Sequence, residues 1–189
     1  MPRRAWKGDD GSALAEFAVA LPLLVVFIVG IYDFSGAFNQ KQKLEHAAQE
    51  GAVSAAAQPM TDIDPTNGNP ASLLPVLTVI FNSLANSNVL PLGNQGSCLA
   101  SAAVPVAPVP PAVQQLQWTY TISGCPDTLT IVINRGWVPA SITPPAPLGT
   151  AVTVSYPYHW KFNSVIQLVG GTFVATTDLT ETSTVHNQM

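Results

Sequence analysis

Charge is what this chain has least of. Asp, Glu, Lys and Arg together make up 10 % of its 189 residues, where a soluble domain has roughly a quarter. Arg3, Arg4 and Lys7 crowd the start, Lys41 and Lys43 follow an apolar run, and beyond them the basic residues are Arg135 and Lys161. With a net charge of −4 and no basic stripe interleaved with aromatics, the main driving force for phosphate-backbone recognition is missing, which excludes nucleic acid as a partner. Histidine is scarce too: His46, His159 and His186 are scattered. The sequence has no Gly-x-Ser-x-Gly elbow, no phosphate loop and no His-Glu-x-x-His, so neither an enzyme nor a cofactor is expected. Cys98 and Cys125 are the only cysteines, and their spacing is not that of a metal site. Outside the cytoplasm an even count implies a disulfide, whereas in the cytosol two such cysteines are more often free.

Long apolar runs are what the chain does have. Ala13 to Tyr32 reads ALAEFAVALPLLVVFIVGIY, about 20 residues, which as a helix spans roughly 30 Å and fits a bilayer. The basic residues on its N-terminal side predict a cytoplasmic N-terminus, with everything after Asp33 on the far side of the inner membrane. A secretory signal peptide also has a basic start and an apolar core. That core is shorter, carries no carboxylate and stops at a cleavage site, whereas here the helical pattern continues. Asp33 to Gln58 contains no proline and is rich in Ala, Gln, Glu and Lys, all good helix formers. The helix is therefore expected to run on to about Pro59. In this second half Ala47, Ala48, Gly51, Ala52, Ala55 and Ala56 form a small-residue stripe at helical spacing, suited to close packing under the chain's own later domain or to self-association. Glu45 and Glu50 face water.

The most informative cluster begins at Gly11. Gly11-Ser12-Ala13-Leu14-Ala15-Glu16-Phe17 places a glycine before the apolar run, a carboxylate five residues later and an aromatic next. A carboxylate inside a membrane helix costs several kcal/mol at the bilayer centre and less near the edge. Glu16 either snorkels to the nearby headgroups or has a partner. The spacing resembles that of prepilins, whose basic leader a membrane peptidase removes after the glycine. Together with Leu21-Pro22, Gly30, Asp33 and Ala48-Gln49-Glu50-Gly51-Ala52, the stretch is similar to the TadE-like family, the minor pseudopilins of tight-adherence (Flp) pilus systems. The resemblance covers about 45 residues. It implies cleavage between Gly11 and Ser12 by a prepilin peptidase. It also implies assembly through Glu16 and Phe17, with Glu16 meeting the new Ser12 amine of a neighbouring subunit, where both charges need a partner in low dielectric. Pro22 removes one helical hydrogen bond. That is either simply tolerated or lets the helix stretch and repack in a filament. The implied partners are the peptidase, other pilin and pseudopilin subunits, the inner-membrane assembly platform and membrane lipid. The chain departs from the family's pattern in a proline-rich middle and in lacking a basic residue near the end of its last strand.

After the helix the chain changes character. Residues 59–69 read as a loop, and Ala71 to Ser87 as a short helix interrupted early by Pro75. Asp62 and Asp64 invite a calcium reading that the spacing does not support, because Asn67 and Leu73 stand where an EF-hand has its glycine and its distant glutamate. Residues 104–112, VPVAPVPPA, read as a polyproline connector. Leu116, Trp118, Tyr120 and Ile122 alternate with polar residues, as do Leu129, Ile131 and Ile133, then Val152, Val154, Tyr156 and Tyr158, and a last strand is expected over Thr172 to Val185. A Cys98–Cys125 bridge would tie the proline-rich segment to the first hairpin. Trp137 and Trp160 are expected as core or sheet-packing residues.

The expected fold is α+β, pilin-like: a long N-terminal helix, half transmembrane and half projecting, packed on a small antiparallel sheet. The divisions are a leader over 1–11, the helix over 12–58, a loop, short helix and connector over 59–114, and the β domain over 115–189. Two functions from different classes fit. One is a processed minor pilin-like subunit that initiates, caps or assembles an adhesive filament; the other is an unprocessed membrane-anchored module that binds an envelope partner.

Overall fold

Prolines punctuate the helices. In the computed structural model, which describes residues 10–64, 68–100, 116–138, 149–162 and 176–187, helix α1 runs over Asp10–Ala57 without a break and stops just short of Pro59. Pro75 does not interrupt the next helix, as the sequence suggested, but begins it. A 3₁₀ turn over Ala71–Leu73 leads into α2, Leu74–Asn86, with Pro75 in its first turn, where the missing N–H would have had no helical partner anyway. The sequence reading missed a further short helix, α3, over Gln95–Ala100. The proline-rich 104–112 and the leader residues 1–9 lie outside the described residues.

Four strands follow: β1 Gln117–Ile122, β2 Leu129–Trp137, β3 Gly149–His159 and β4 Thr176–His186. They form one antiparallel sheet in sequence order, a meander. The period-two pattern sets its two faces. Trp118, Tyr120, Ile122, Leu129, Ile131, Ile133, Val152, Val154 and Tyr156 are buried on one side. On the other, hydroxyls pair across β3 and β4, Thr153 with Thr182 at 2.7 Å and Ser155 with Thr180 at 2.8 Å. Thr172 to Ala175, expected in the last strand, lie outside the described residues.

The chain divides into two units, residues 1–37 with 160–175, and residues 38–159 with 176–189. In the second unit one core joins Leu44, Ala47, Ala48, Ala52 and Ala55 of α1 to Val76, Leu77, Ile80, Phe81 and Leu84 of α2 and to the inner face of the sheet. Each fully buried large aliphatic or Phe side chain there contributes about 1.5–3 kcal/mol. The small-residue stripe is covered within the chain. A Cβ on Gly51 would lie 2.7 Å from the Ile80 side chain and 3.3 Å from Val152, so α2 and β3 both approach the helix where it has no side chain.

Cys98 and Cys125 are bonded, with Cα atoms 4.8 Å apart. The bridge ties α3, rather than the proline-rich segment, to the β1–β2 turn. In that unit Arg135 is fully buried. The β2–β3 register shifts between Asn134 and Trp137, and this bulge, where Gly136 N–H donates to Asn134 Oδ1 at 2.9 Å, accompanies an inward-pointing arginine. Arg135 Nη2 donates to Gln58 O at 2.9 Å and contacts Met60 Sδ. It thus satisfies a carbonyl just past the end of α1, where helical donors run out. Burial lowers the Arg135 pKa, and the Asp62 carboxylate opposes that shift. Asp62 itself accepts the Ser72 N–H at 2.8 Å. That hydrogen bond is the largest cause holding its carboxyl below the ordinary 3.8. Among the described residues no three metal-binding side chains gather.

Candidate assembly and anchoring site

The N-terminal part of α1, up to Ala37, belongs to the first unit. From Ser12 to Ile28 every residue is exposed, including Leu14, Phe17, Val19, Leu23, Leu24, Phe27 and Ile28. This is the one helix among the described residues that is long and apolar enough to cross a membrane, and the most apolar 18-residue window is 0 % buried. A helix that is apolar on all sides needs an apolar surrounding, either lipid or other helices. One long apolar N-terminal helix is therefore a candidate membrane anchor.

The motif residues lie along this helix in sequence order. Gly11 and Ser12 fall in its first turn, where backbone N–H groups have no preceding carbonyl to bond, so unwinding the chain around the Gly11–Ser12 bond sacrifices few hydrogen bonds. One turn on, Glu16 accepts a hydrogen bond from Ser12 Oγ at 3.2 Å. Both side chains are exposed, and Phe17 beside them is 62 % exposed. The helix carries Pro22 without interruption, and because proline has no N–H the Ala18 carbonyl loses its helical donor. The described residues supply no partner for Phe17 within the chain's core.

A second cluster in the same unit escaped the sequence reading. Asp33 is 1 % exposed, and its Oδ2 accepts the Phe162 N–H at 2.6 Å. Around this latch the Phe34 and Trp160 rings meet edge to face with centroids 5.4 Å apart. The Lys161 ammonium lies 5.5 Å from the centre of the Tyr32 ring, within cation–π range. Trp160 is thus no sheet-packing residue, since it closes on α1 beside the latch. The signal in the sequence was the aromatic-Lys-aromatic triplet Trp160-Lys161-Phe162, holding one of the few cations of the C-terminal half. What could not be read was that Asp33, more than a hundred residues earlier, meets its backbone.

Residues 11–53, wholly within α1, match the family model described as TadE-like protein. The chain therefore carries a TadE-like N-terminal segment, a likeness that suggests a Tad pilus-associated protein. No curated protein and no solved structure matches the chain.

Proposed function

We propose, with the TadE-like segment as premise, that this chain is a minor pilin-like subunit of a tight-adherence type IV pilus. It initiates, caps or assembles the filament for surface adhesion, and its role is structural rather than enzymatic. The observation that carries this reading is the exposure of every residue of the apolar stretch Ser12 to Ile28, none of which belongs to the buried core of the second unit. Such a surface needs lipid before assembly and neighbouring helices after it.

The order of events follows from the charges. Arg3, Arg4 and Lys7 keep the N-terminus in the cytoplasm, and the sheet domain is placed on the periplasmic side of the inner membrane. A prepilin peptidase cuts between Gly11 and Ser12, removing the basic leader and creating an amine on Ser12. Glu16, one turn away, pairs with the Ser12 amine of the next subunit, because in low dielectric neither charge is tolerable alone. Phe17 packs beside that pair. Pro22, with one backbone bond already missing, lets the helix adjust as it leaves the platform for the filament. The partners are then the peptidase, other pilin and pseudopilin subunits, the inner-membrane platform and lipid.

The mass of the protein extracted from membranes tests the processing step. Loss of Met1 to Gly11, with Ser12 as the first residue, is expected. An intact Met1, or a cut after residue 30, would contradict it. The second reading, an unprocessed anchored module that binds an envelope partner, draws on an open cleft whose lining includes Asn39, Gln42, His46, Val53, Val79 and Asn82, and it requires the leader to remain.

A further inference from the structure

Among the described residues β1 and β4 each have a single strand neighbour, and an edge strand presents a row of unpaired N–H and C=O groups. β4 has none of the usual protections of such an edge, for it contains no proline and no lysine, and its eleven pairs with β3 run without a bulge. We propose that the β4 edge takes the β1 edge of a second copy of this chain, so that neighbouring copies stand side by side and share one sheet.

Backbone direction matches the two edges. Arg135 N–H donates to Leu116 O at 2.7 Å, which makes these two a hydrogen-bonded pair, and such pairs alternate along antiparallel strands. Carried through the register, the alternation turns the backbone groups of Gln117, Thr119 and Thr121 away from β2, and those of Asp178, Thr180 and Thr182 away from β3. All six lie on the outer face of the sheet, opposite the core. Both edges therefore offer hydrogen-bonding groups from residues of the same face. In a four-stranded meander β1 and β4 also run in opposite directions. A copy set beside the first thus continues the sheet as an antiparallel pair, with both cores on one side. With Thr119 opposite Thr182, Thr121 meets Thr180, the kind of pair that Thr153 and Thr182 form within the sheet, and on the inner face Ile122 meets Leu179.

The rival mate for β4 is the β4 of a second copy. Charge opposes it: β4 carries Asp178 and Glu181 and no lysine or arginine, so self-pairing adds like charge, whereas β1 carries none. Direction opposes it too. The later half of α1 runs along the strands, since Gln40 Nε2 donates to Pro157 O at 3.2 Å, Gly51 lies against Val152 and Gln58 O accepts from Arg135. An antiparallel β4 pair turns one copy end for end and reverses its α1. Copies standing side by side keep every α1 parallel, as anchors in one membrane must be. This choice of mate rests on the membrane-anchored reading; the free edges do not. The contact is head to tail, so each added copy leaves another edge open.

The full chain in membranes is the material for the test. Differently tagged chains carrying Thr119→Cys or Thr182→Cys are co-expressed and mildly oxidised, because Cα atoms about 5.5 Å apart in a hydrogen-bonded pair are within disulfide reach. A reducible dimer holding one of each tag is expected, and none when either variant is expressed alone. Thr180→Pro, added to the Thr182→Cys chain, removes one N–H from the free edge and none from the bonds to β3. It should lower the yield of dimer about fivefold, as the loss of one hydrogen bond between strands does. Thr121→Pro on the other chain should act equally from the β1 side. Dimers formed by Thr182→Cys alone at the level of the mixture would assign β4 to β4 and overturn the proposal. So would a mixture that yields no dimer, or a yield that neither proline lowers. Resistance to carbonate extraction, measured on the same membranes, reports separately on the anchored reading: a chain released by carbonate sinks that reading, while the cross-link still decides which edges meet.

Discussion

The two halves of α1 are one continuous helix with opposite solutions to the same problem. Both are rich in apolar residues. From Leu44 onward the apolar positions recur at helical spacing, Leu44, Ala47, Ala48, Ala52 and Ala55, and all are buried under α2 and the sheet, while Glu45, His46, Gln49 and Glu50 stay exposed. From Ser12 to Ile28 apolar residues occupy every side of the helix and none of the described residues covers them. A helix with one apolar stripe can be completed by its own chain; one that is apolar all round requires an environment. The difference assigns folding to the second half and leaves the first as the candidate membrane anchor, the part for which assembly is proposed.

The contrast breaks most visibly if one chemical change is made in each half. Leu44→Ala should cost the folded domain about 2–5 kcal/mol, as large-to-small changes in a packed core do. Leu23→Ala, at a site 62 % exposed, should leave the thermal midpoint of the detergent-solubilised protein unchanged. Equal losses at both positions would mean that the first half is packed within the chain. Arg135→Ala is the next largest perturbation. It removes the donor to Gln58 O and the counter-charge felt by Asp62, and should cost about 2–3 kcal/mol in chemical denaturation, as hydrogen bonds from charged groups do. Arg135→Lys should recover only part of that, because an ammonium lacks the guanidinium's planar fork. The smallest effect is the acid limb of stability. The Asp62 pKa lies below 3.8 in the folded protein, chiefly through the Ser72 N–H. Its contribution is therefore complete above that value and is lost as pH falls through the folded pKa. Asp62→Asn should lower stability at neutral pH, where the wild-type contribution is complete, and flatten the pH–stability curve below 3.8 so that the two proteins converge in acid; an unaltered acid limb would show that the Ser72 contact is not held in solution.

What was legible in the sequence depended on local signals. The end of α1 followed from Pro59, and the inner face of each of the first three strands from alternation at Trp118, Ile131 and Val152. These patterns recur every two or every three to four residues, so neighbouring positions reinforce them. The six-residue α3 repeats too little to announce itself, and Pro75 reads the same whether it breaks a helix or opens one. Arg135 looked like one stray cation because its role depends on a bulge in β2 and on the end of a helix 77 residues away in sequence. Trp160 was expected as a core or sheet-packing residue. Only the three-dimensional meeting with Phe34 and the Asp33 carboxylate moves it to the anchor. The Gly11 to Phe17 motif was fully legible, yet a single chain holds no second subunit to display the pairing that Glu16 is proposed to make.

That pairing is the central claim. Glu16 is exposed and lies outside the folded core, so Glu16→Ala should leave the sheet domain's stability and membrane insertion as they are, and an alanine in fact makes the span more apolar. Leader removal should persist if, as proposed, the glycine rather than the glutamate marks the cleavage site. The decisive measurement is co-purification of the cleaved Glu16→Ala protein with pilus components, at expression equal to wild type and with surface filaments counted in parallel. The account predicts loss of association and few or no filaments, since the Ser12 amine of the neighbouring subunit would be left without its partner in low dielectric. Association and filament numbers at the wild-type level would contradict it.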